Sequence, residues 1–270
     1  MKISQNRPGR YWPTVRVRIA VLALLACCCT TATAGAAQTA TMQASFSPDK
    51  LGTPTTIGFG FHISSTTSQA VAPLTSIGLG LPPGIDYLST TLGLATCRPA
   101  ALIAKGLSGC SPNSRLGEGT ATVELPFGGQ SGEETSDLQV LMGPAHNNNL
   151  VVLFYASGIK PISTQLVFQG ELLTGTEVLG GSLKSAIPLV PSVPGGSFVP
   201  IVNLQAELGP GHLTYYRRVH GKKVAFHPEG VSVPSRCPRG GFPFSATFTF
   251  FDGSSATAST TVPCPPARHG

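Results

Sequence analysis

The chain has 270 residues, 18 Lys+Arg against 12 Asp+Glu, 41% hydrophobic and only 11% charged residues, with 32 Gly and 24 Pro. So few charges among so many turn formers exclude a coiled coil or a charged helical bundle and favour short strands joined by tight turns. Five of the 18 cations (Lys2, Arg7, Arg10, Arg16, Arg18) lie at the N-terminus, which leaves 13 against 12 acids beyond it. A net charge of about +1 for that remainder counts against a general affinity for nucleic acid.

Residues 1–18 are basic, residues 19–29 (IAVLALLACCC) are apolar, and the small-residue stretch TTATAGAAQTA follows. That order predicts a secretory signal peptide over residues 1–37, cut near Ala37 or Gln38. The apolar run is too short for a permanent membrane helix, and no later stretch is long enough without Gly, Pro or charge, so no transmembrane segment is expected. An alternative is a lipoprotein, because Leu24-Leu25-Ala26-Cys27 puts Cys27 at the end of the apolar run. Either way the expected location is extracellular or in the cell envelope.

Beyond the signal, strand-like runs fall at 42–47, 55–63 (TTIGFGFHI), 76–81, 120–125, 138–142, 150–156 (LVVLFYA), 164–169, 201–208, 213–217, 246–251 (ATFTFF) and 257–262. Turn residues separate them, and Asp252-Gly253 between two such runs is the strongest hairpin signal. The expected class is all-β, an immunoglobulin-like β-sandwich, with one short helix at 98–105 opened by Pro99 and closed by Gly106. The polar stretch GGQSGEETSD (128–137) suggests a division into β units at 38–130 and 131–265, with a tail at 266–270. One large sandwich over 38–265 is the alternative. Prolines at every third position in 188–196 (PLVPSVPGG) suggest an extended polyproline excursion, read most simply as a rigid loop between strands.

Four cysteines remain after the signal, Cys97, Cys110, Cys237 and Cys264. An even number in an exported chain reads as disulfides, and local pairing, Cys97–Cys110 and Cys237–Cys264, is the economical choice among three. Intervals of 12 and 26 residues with no matching histidine pair do not suit zinc.

The chemistry-bearing motifs are few. The chain holds no Gly-x-Ser-x-Gly elbow, His-Glu-x-x-His helix or Walker loop. Ser47-Pro48-Asp49-Lys50 matches Ser-x-x-Lys, but Pro and Asp point to a turn rather than the helix that pairing needs. Gly78 to Gly84 is glycine-rich, yet Pro82 and Pro83 stand where a nucleotide-binding helix would open. Glycosidases need two carboxyls across a sugar. Glu118 with Glu124, or Glu171 with Glu177, could share a strand face, although nearby glycines interrupt the strands. The six histidines form no ligand-spaced pair, and no catalytic residue, metal or cofactor is assigned.

The densest functional segment is YYRRVHGKKVAFHPEGVSVPSRCPR (215–239). Tyr215, Tyr216, Arg217, Arg218, Lys222 and Lys223 form a candidate surface for an anionic cell-wall polymer or glycan, through charge and stacking. The plainer reading is a hairpin turning at Gly221-Lys222 with solvated charges.

Three phrases, SFSPDKLGTPTTIGFGF (45–61), ATCRPAALIAKGLSGCSPNSRLGEGTATVELPFG (95–128) and the stretch from LTYYRRVHGKK to TVPCP (213–265), resemble a family of uncharacterised secreted actinobacterial β-rich proteins. In that family Pro often follows the second Cys, where Ser111 stands here. The resemblance implies an extracytoplasmic β-rich protein and carries over no activity or site residue. The functional expectation is a non-enzymatic secreted or envelope structural or binding protein, with a secreted carbohydrate-active or other hydrolase as the alternative.

Overall fold

A computed structural model describes residues 38–67, 70–85, 91–127, 130–158, 164–175 and 180–265. The expected signal peptide with Cys27, the tail at 266–270 and Glu177 lie outside these residues. The chain is all-β, with an antiparallel sheet nearly closed into a barrel or sandwich.

The strands are β1 (Gln38–Ser47), β2 (Pro54–Ser65), β3 (Leu74–Leu81), β4 (Arg115–Phe127), β5 (Gln130–Met142), β6 (Leu150–Gly158), β7 (Thr164–Thr174), β8 (Gly181–Ala186) and β9 (Ile201–Leu208). They continue with β10 (Tyr215–Val219), β11 (Lys222–Phe226), β12 (Val231–Ser232), β13 (Phe242–Phe250) and β14 (Ser255–Val262). Eleven of them run in the order β1-β2-β9-β4-β5-β6-β7-β8-β3-β13-β14, with β12 added to the start of β2. The two end strands, β1 and β14, lie alongside each other, which nearly closes the sheet.

Residue alternation sets which face of the sheet is apolar. On β13 Phe242, Phe244, Ala246, Phe248 and Phe250 point inward and are buried, while Thr247 and Thr249 face water. On β1 the outward positions are Thr39, Thr41, Gln43 and Ser45, and on β14 they are Ser255, Thr257, Ser259 and Thr261. On these three strands an apolar inside with a hydroxyl-rich outside is the reverse of the pattern on a membrane-spanning strand, whose lipid-facing side is apolar.

The polar stretch 128–137 is mostly strand. Residues 130–137 open β5 and pair with residues 120–127 of β4. Strands from either side of residue 130 are neighbours, since β9 sits between β2 and β4, and β3 sits between β8 and β13.

The short helix is present as α1 (Pro99–Lys105), with proline in its first turn and Gly106 at φ 58° ending it. Cys97–Cys110 spans it, and Cys237–Cys264 ties the segment before β13 to the end of β14. Leu102 of α1 packs with Cys97 onto Leu141, Val151, Leu153 and Tyr155, so β5 and β6 are covered on their outer face. Ser47–Lys50 is a turn between β1 and β2, opened by a cis Ser47–Pro48 peptide.

Candidate functional site: the barrel interior and the basic hairpin

Eight strands make a barrel that side chains just fill, and diameter grows with strand number. Eleven leave room. On β6 the outward residues under α1 are fully packed, Val151 at 3% exposed, Leu153 at 0% and Tyr155 at 6%. Their inward neighbours Leu150, Val152 and Phe154 are only half-buried. The usual order is inverted because the space they face is not full.

That space is a cavity of ≈ 140 Å³, measured over the centres of water-sized spheres. Phe59, Leu79, Val152, Phe154, Leu183 and Leu204, from the five strands β2, β3, β6, β8 and β9, are among its walls. Phe154 stacks on Phe168 with ring centroids 4.9 Å apart. The one polar side chain among the described residues of the lining, Ser185, already donates to the Gln169 carbonyl.

A second cavity of ≈ 90 Å³ shares Phe168, Ile187, Ile201 and Leu204 with the first. It is bounded by Val123 and Leu125 of β4 and by the segment leading from β8 to β9. The expected polyproline excursion in that segment instead folds back on itself as a flap. Val199 N–H donates to the Val190 carbonyl at 2.9 Å, Ser192 N–H to Ser197 O at 2.9 Å, and Gly196 N–H to Val193 O at 2.8 Å. A polyproline helix has no internal hydrogen bonds, so the glycines at 195 and 196 have won over the proline spacing. Phe198 anchors the flap edge-on to Phe251, 5.2 Å between centroids.

Two polar side chains of β5, Glu134 and Ser136, face this second cavity. Glu134 is 4% exposed, and its Oε1 is buried without a hydrogen-bond partner. Sequence reading passed over it, because its polar neighbours made the stretch look like a linker. The available signal was parity: Glu134 and Ser136 are in step with inward-facing Leu138 and Val140.

The basic segment forms a separate two-stranded sheet, β10–β11. Its turn is at His220-Gly221, φ 50° and 79°, one residue earlier than expected. Two successive positive φ values make a turn whose twist suits a two-residue hairpin. Arg217, Arg218, Lys222 and Lys223 are exposed, and none lies within ion-pair distance of a carboxylate among the described residues. Lys223 Nζ sits 3.9 Å from the Tyr216 ring centre, and Arg217 lies 5.3 Å over Phe226.

Tyr215 departs from the expected contact set. It is 0% exposed; its hydroxyl accepts from Gly93 N–H at 3.0 Å and donates to the Arg115 carbonyl. It is the root of the hairpin, not part of its surface. Asn113 completes that root, donating to Tyr216 O at 2.7 Å and accepting from Tyr216 N–H at 2.8 Å.

Of the acidic pairs read from the sequence, Glu118 and Glu124 lie six residues apart along β4 and are not brought together, and the pair of Glu171 with Glu177 falls outside the described residues. Glu171 binds His146 Nδ1 at 2.5 Å and Asn149 Nδ2 at 3.5 Å. Glu118 faces Glu207 across the β4–β9 ladder, a partner the sequence did not suggest, in an open outer groove with Gln43, Gln205 and His212. Both carboxylates are exposed. Among the described residues no three His, Cys, Asp or Glu side chains gather as a metal site, and no helix is long and apolar enough to cross a membrane.

No family model, curated protein or solved structure matches the chain.

Proposed function

We propose that the protein is a non-enzymatic binding protein, exported to the cell envelope or medium, and that its barrel interior takes an apolar small molecule. The observation that carries this reading is the inversion on β6, where side chains facing the barrel interior are less buried than those on its outside. A void of ≈ 140 Å³ left by deficient packing would cost about 3 kcal/mol at about 24 cal/mol per Å³. Protein interiors are otherwise close-packed, and an apolar void of this size stays dry and accepts small apolar molecules. The test is a fluorescence titration of the exported chain with the neutral fluorophore N-phenyl-1-naphthylamine. Saturable binding of one equivalent is expected; a linear, unsaturable signal would remove the reading.

The β10–β11 hairpin supplies the second contact, with an anionic wall polymer or glycan as its partner. Four exposed cations without carboxylate partners, two of them held beside aromatic rings, support it. Changing Arg217, Arg218, Lys222 and Lys223 together to Gln is expected to abolish retention on isolated wall material at low salt. Retention equal to the parent would leave the hairpin without a partner.

A secreted hydrolase acting on carbohydrate is the alternative, favoured by Glu118 and Glu207 facing each other in one groove. Cross-strand neighbours place their Cβ atoms about 5 Å apart, within reach of a two-carboxylate mechanism. Release of reducing sugar by the parent but not by the Glu118→Gln, Glu207→Gln double variant would establish it over the binding reading.

A further inference from the structure

We infer that Glu134 reads the polar head of the ligand, and that the ligand is a hydrophobic amine whose cationic head enters the second cavity while its apolar body fills the barrel. The inference rests on the apolar-ligand reading above and specifies which class of molecule that site takes.

Glu134 is the only carboxylate that is buried among the described residues. Of the other described acids only Glu124 and Glu171 are half-buried, Glu171 being paired with His146 and Asn149, and the rest are exposed. A carboxylate taken from water without compensating donors costs several kcal/mol, so buried carboxylates are normally paired or well hydrogen-bonded. Glu134 is neither. Its Oε1 has no donor among the described residues, and none of the described residues in the wall of the cavity it faces is Lys, Arg or His.

The oxygen itself is buried, and the backbone beside it leaves no room for a side chain. Gly158 lies on β6 beside it, and a Cβ at that position would come within 2.2 Å of Oε1 and 2.8 Å of Ser136 Oγ. A side chain there would occupy the place of the donor. Ser136, next inward on β5, offers one further hydroxyl to the same head group. The flap from 190 to 199 borders the site through Val190, Pro191, Ser192 and Val199, of which Ser192 is buried.

The chemistry of the occupant follows. A metal ion needs several ligands, and among the described residues lining its cavity Glu134 is the one carboxylate, with no histidine or cysteine. A fatty acid would set carboxylate against carboxylate in a poorly solvated space. An ammonium group supplies charge and donors together, and charge-assisted hydrogen bonds are the strong ones. Beyond the head, Phe168, Ile187, Ile201 and Leu204 belong to both cavities, so an alkyl or aryl body attached to the amine continues directly against the apolar walls of the larger one.

The test uses octylamine, octanol and octanoate as competitors of bound N-phenyl-1-naphthylamine on the full exported chain at neutral pH. Octylamine is expected to compete at least tenfold better than octanol, and octanoate worse than either. In Glu134→Gln the ratio of amine to alcohol affinity should fall to within about twofold of one. Gly158→Ala, which crowds Oε1 without changing charge, should reduce the same ratio, and it serves if Glu134→Gln fails to fold. Equal competition by all three, or an amine preference that survives both substitutions, overturns the assignment of Glu134 while leaving apolar binding in place. Absence of any saturable fluorophore binding overturns both readings together.

Discussion

Tyr215 shows how a residue with a functional appearance can be structural. Its ring is sealed against Phe226, edge-on at 5.9 Å between centroids, and its hydroxyl joins Gly93 to Arg115. Burial pushes its phenol above the ordinary value of about 10, opposed by the hydrogen bond from Gly93. The protonated form is the one the fold prefers. Its contribution to stability is therefore complete below the unfolded-state value near 10, and is lost as pH rises from there through the raised native value. Urea unfolding followed from pH 8 to 11.5 should show the midpoint falling above about pH 10. Tyr215→Phe should flatten that fall and cost about 1–3 kcal/mol at neutral pH, because the Arg115 carbonyl is left without its donor. An unchanged midpoint in Tyr215→Phe would falsify this account of the hairpin root.

At the scale of elements, α1 and its disulfide cover the outer face of β5 and β6. Leu102 is fully buried there. Leu102→Ala is expected to destabilise by about 2–5 kcal/mol, read from thermal or urea unfolding. A loss under about 0.5 kcal/mol would mean the helix is only an ornament on the barrel.

What could be read from the sequence follows from which elements keep strict alternation. In β13 every second residue is apolar and the others are small or hydroxylic, so both the strand and the Asp252-Gly253 turn were evident. There Asp252 Oδ1 accepts from Ser254 N–H at 2.9 Å and Gly253 takes φ 82°. In β8 (GSLKSA) only one large apolar residue, Leu183, marks the inward face, and the strand passed unnoticed. In β5 the inward face is Glu134 and Ser136 before it is Leu138 and Val140, so its first half looked like a boundary. The candidate site was hidden for the same reason. A cavity is made by strands brought together from positions 57 to 244, and local pattern reports neither strand order nor barrel width. The basic hairpin, a local structure, was legible except for Tyr215 and a one-residue shift of the turn.

The flap between β8 and β9 is held by three backbone hydrogen bonds of its own and by Phe198 on Phe251. Phe251 is among the exposed large apolar side chains, so this latch is wet and weak. Phe198→Ser should speed both entry and release of the neutral fluorophore in stopped-flow measurements, and change its equilibrium affinity less than its rates. Rates identical to the parent would show that ligand enters elsewhere.

For the whole molecule, stability and binding draw on the same space. Unfilled walls forfeit dispersion contacts, and at about 24 cal/mol per Å³ the ≈ 140 Å³ cavity withholds about 3 kcal/mol from the free protein. A substitution that fills it should therefore stabilise the empty barrel and remove its ligand site. Val152 lies on the inward face of β6 among the cavity walls. Val152→Phe is expected to raise the melting temperature of the free protein by several degrees, the scale on which about 1 kcal/mol moves a domain of this size. The parent's melting temperature should rise with fluorophore concentration, because a ligand of the folded state stabilises it by mass action. In Val152→Phe that dependence should vanish. A variant less stable than the parent would mean the barrel is already packed to its limit, since overfilling a tight core costs about 1–3 kcal/mol. The opposite signs of these two outcomes separate a built cavity from a rigid, filled sandwich, and calorimetry of two proteins with and without one fluorophore distinguishes them.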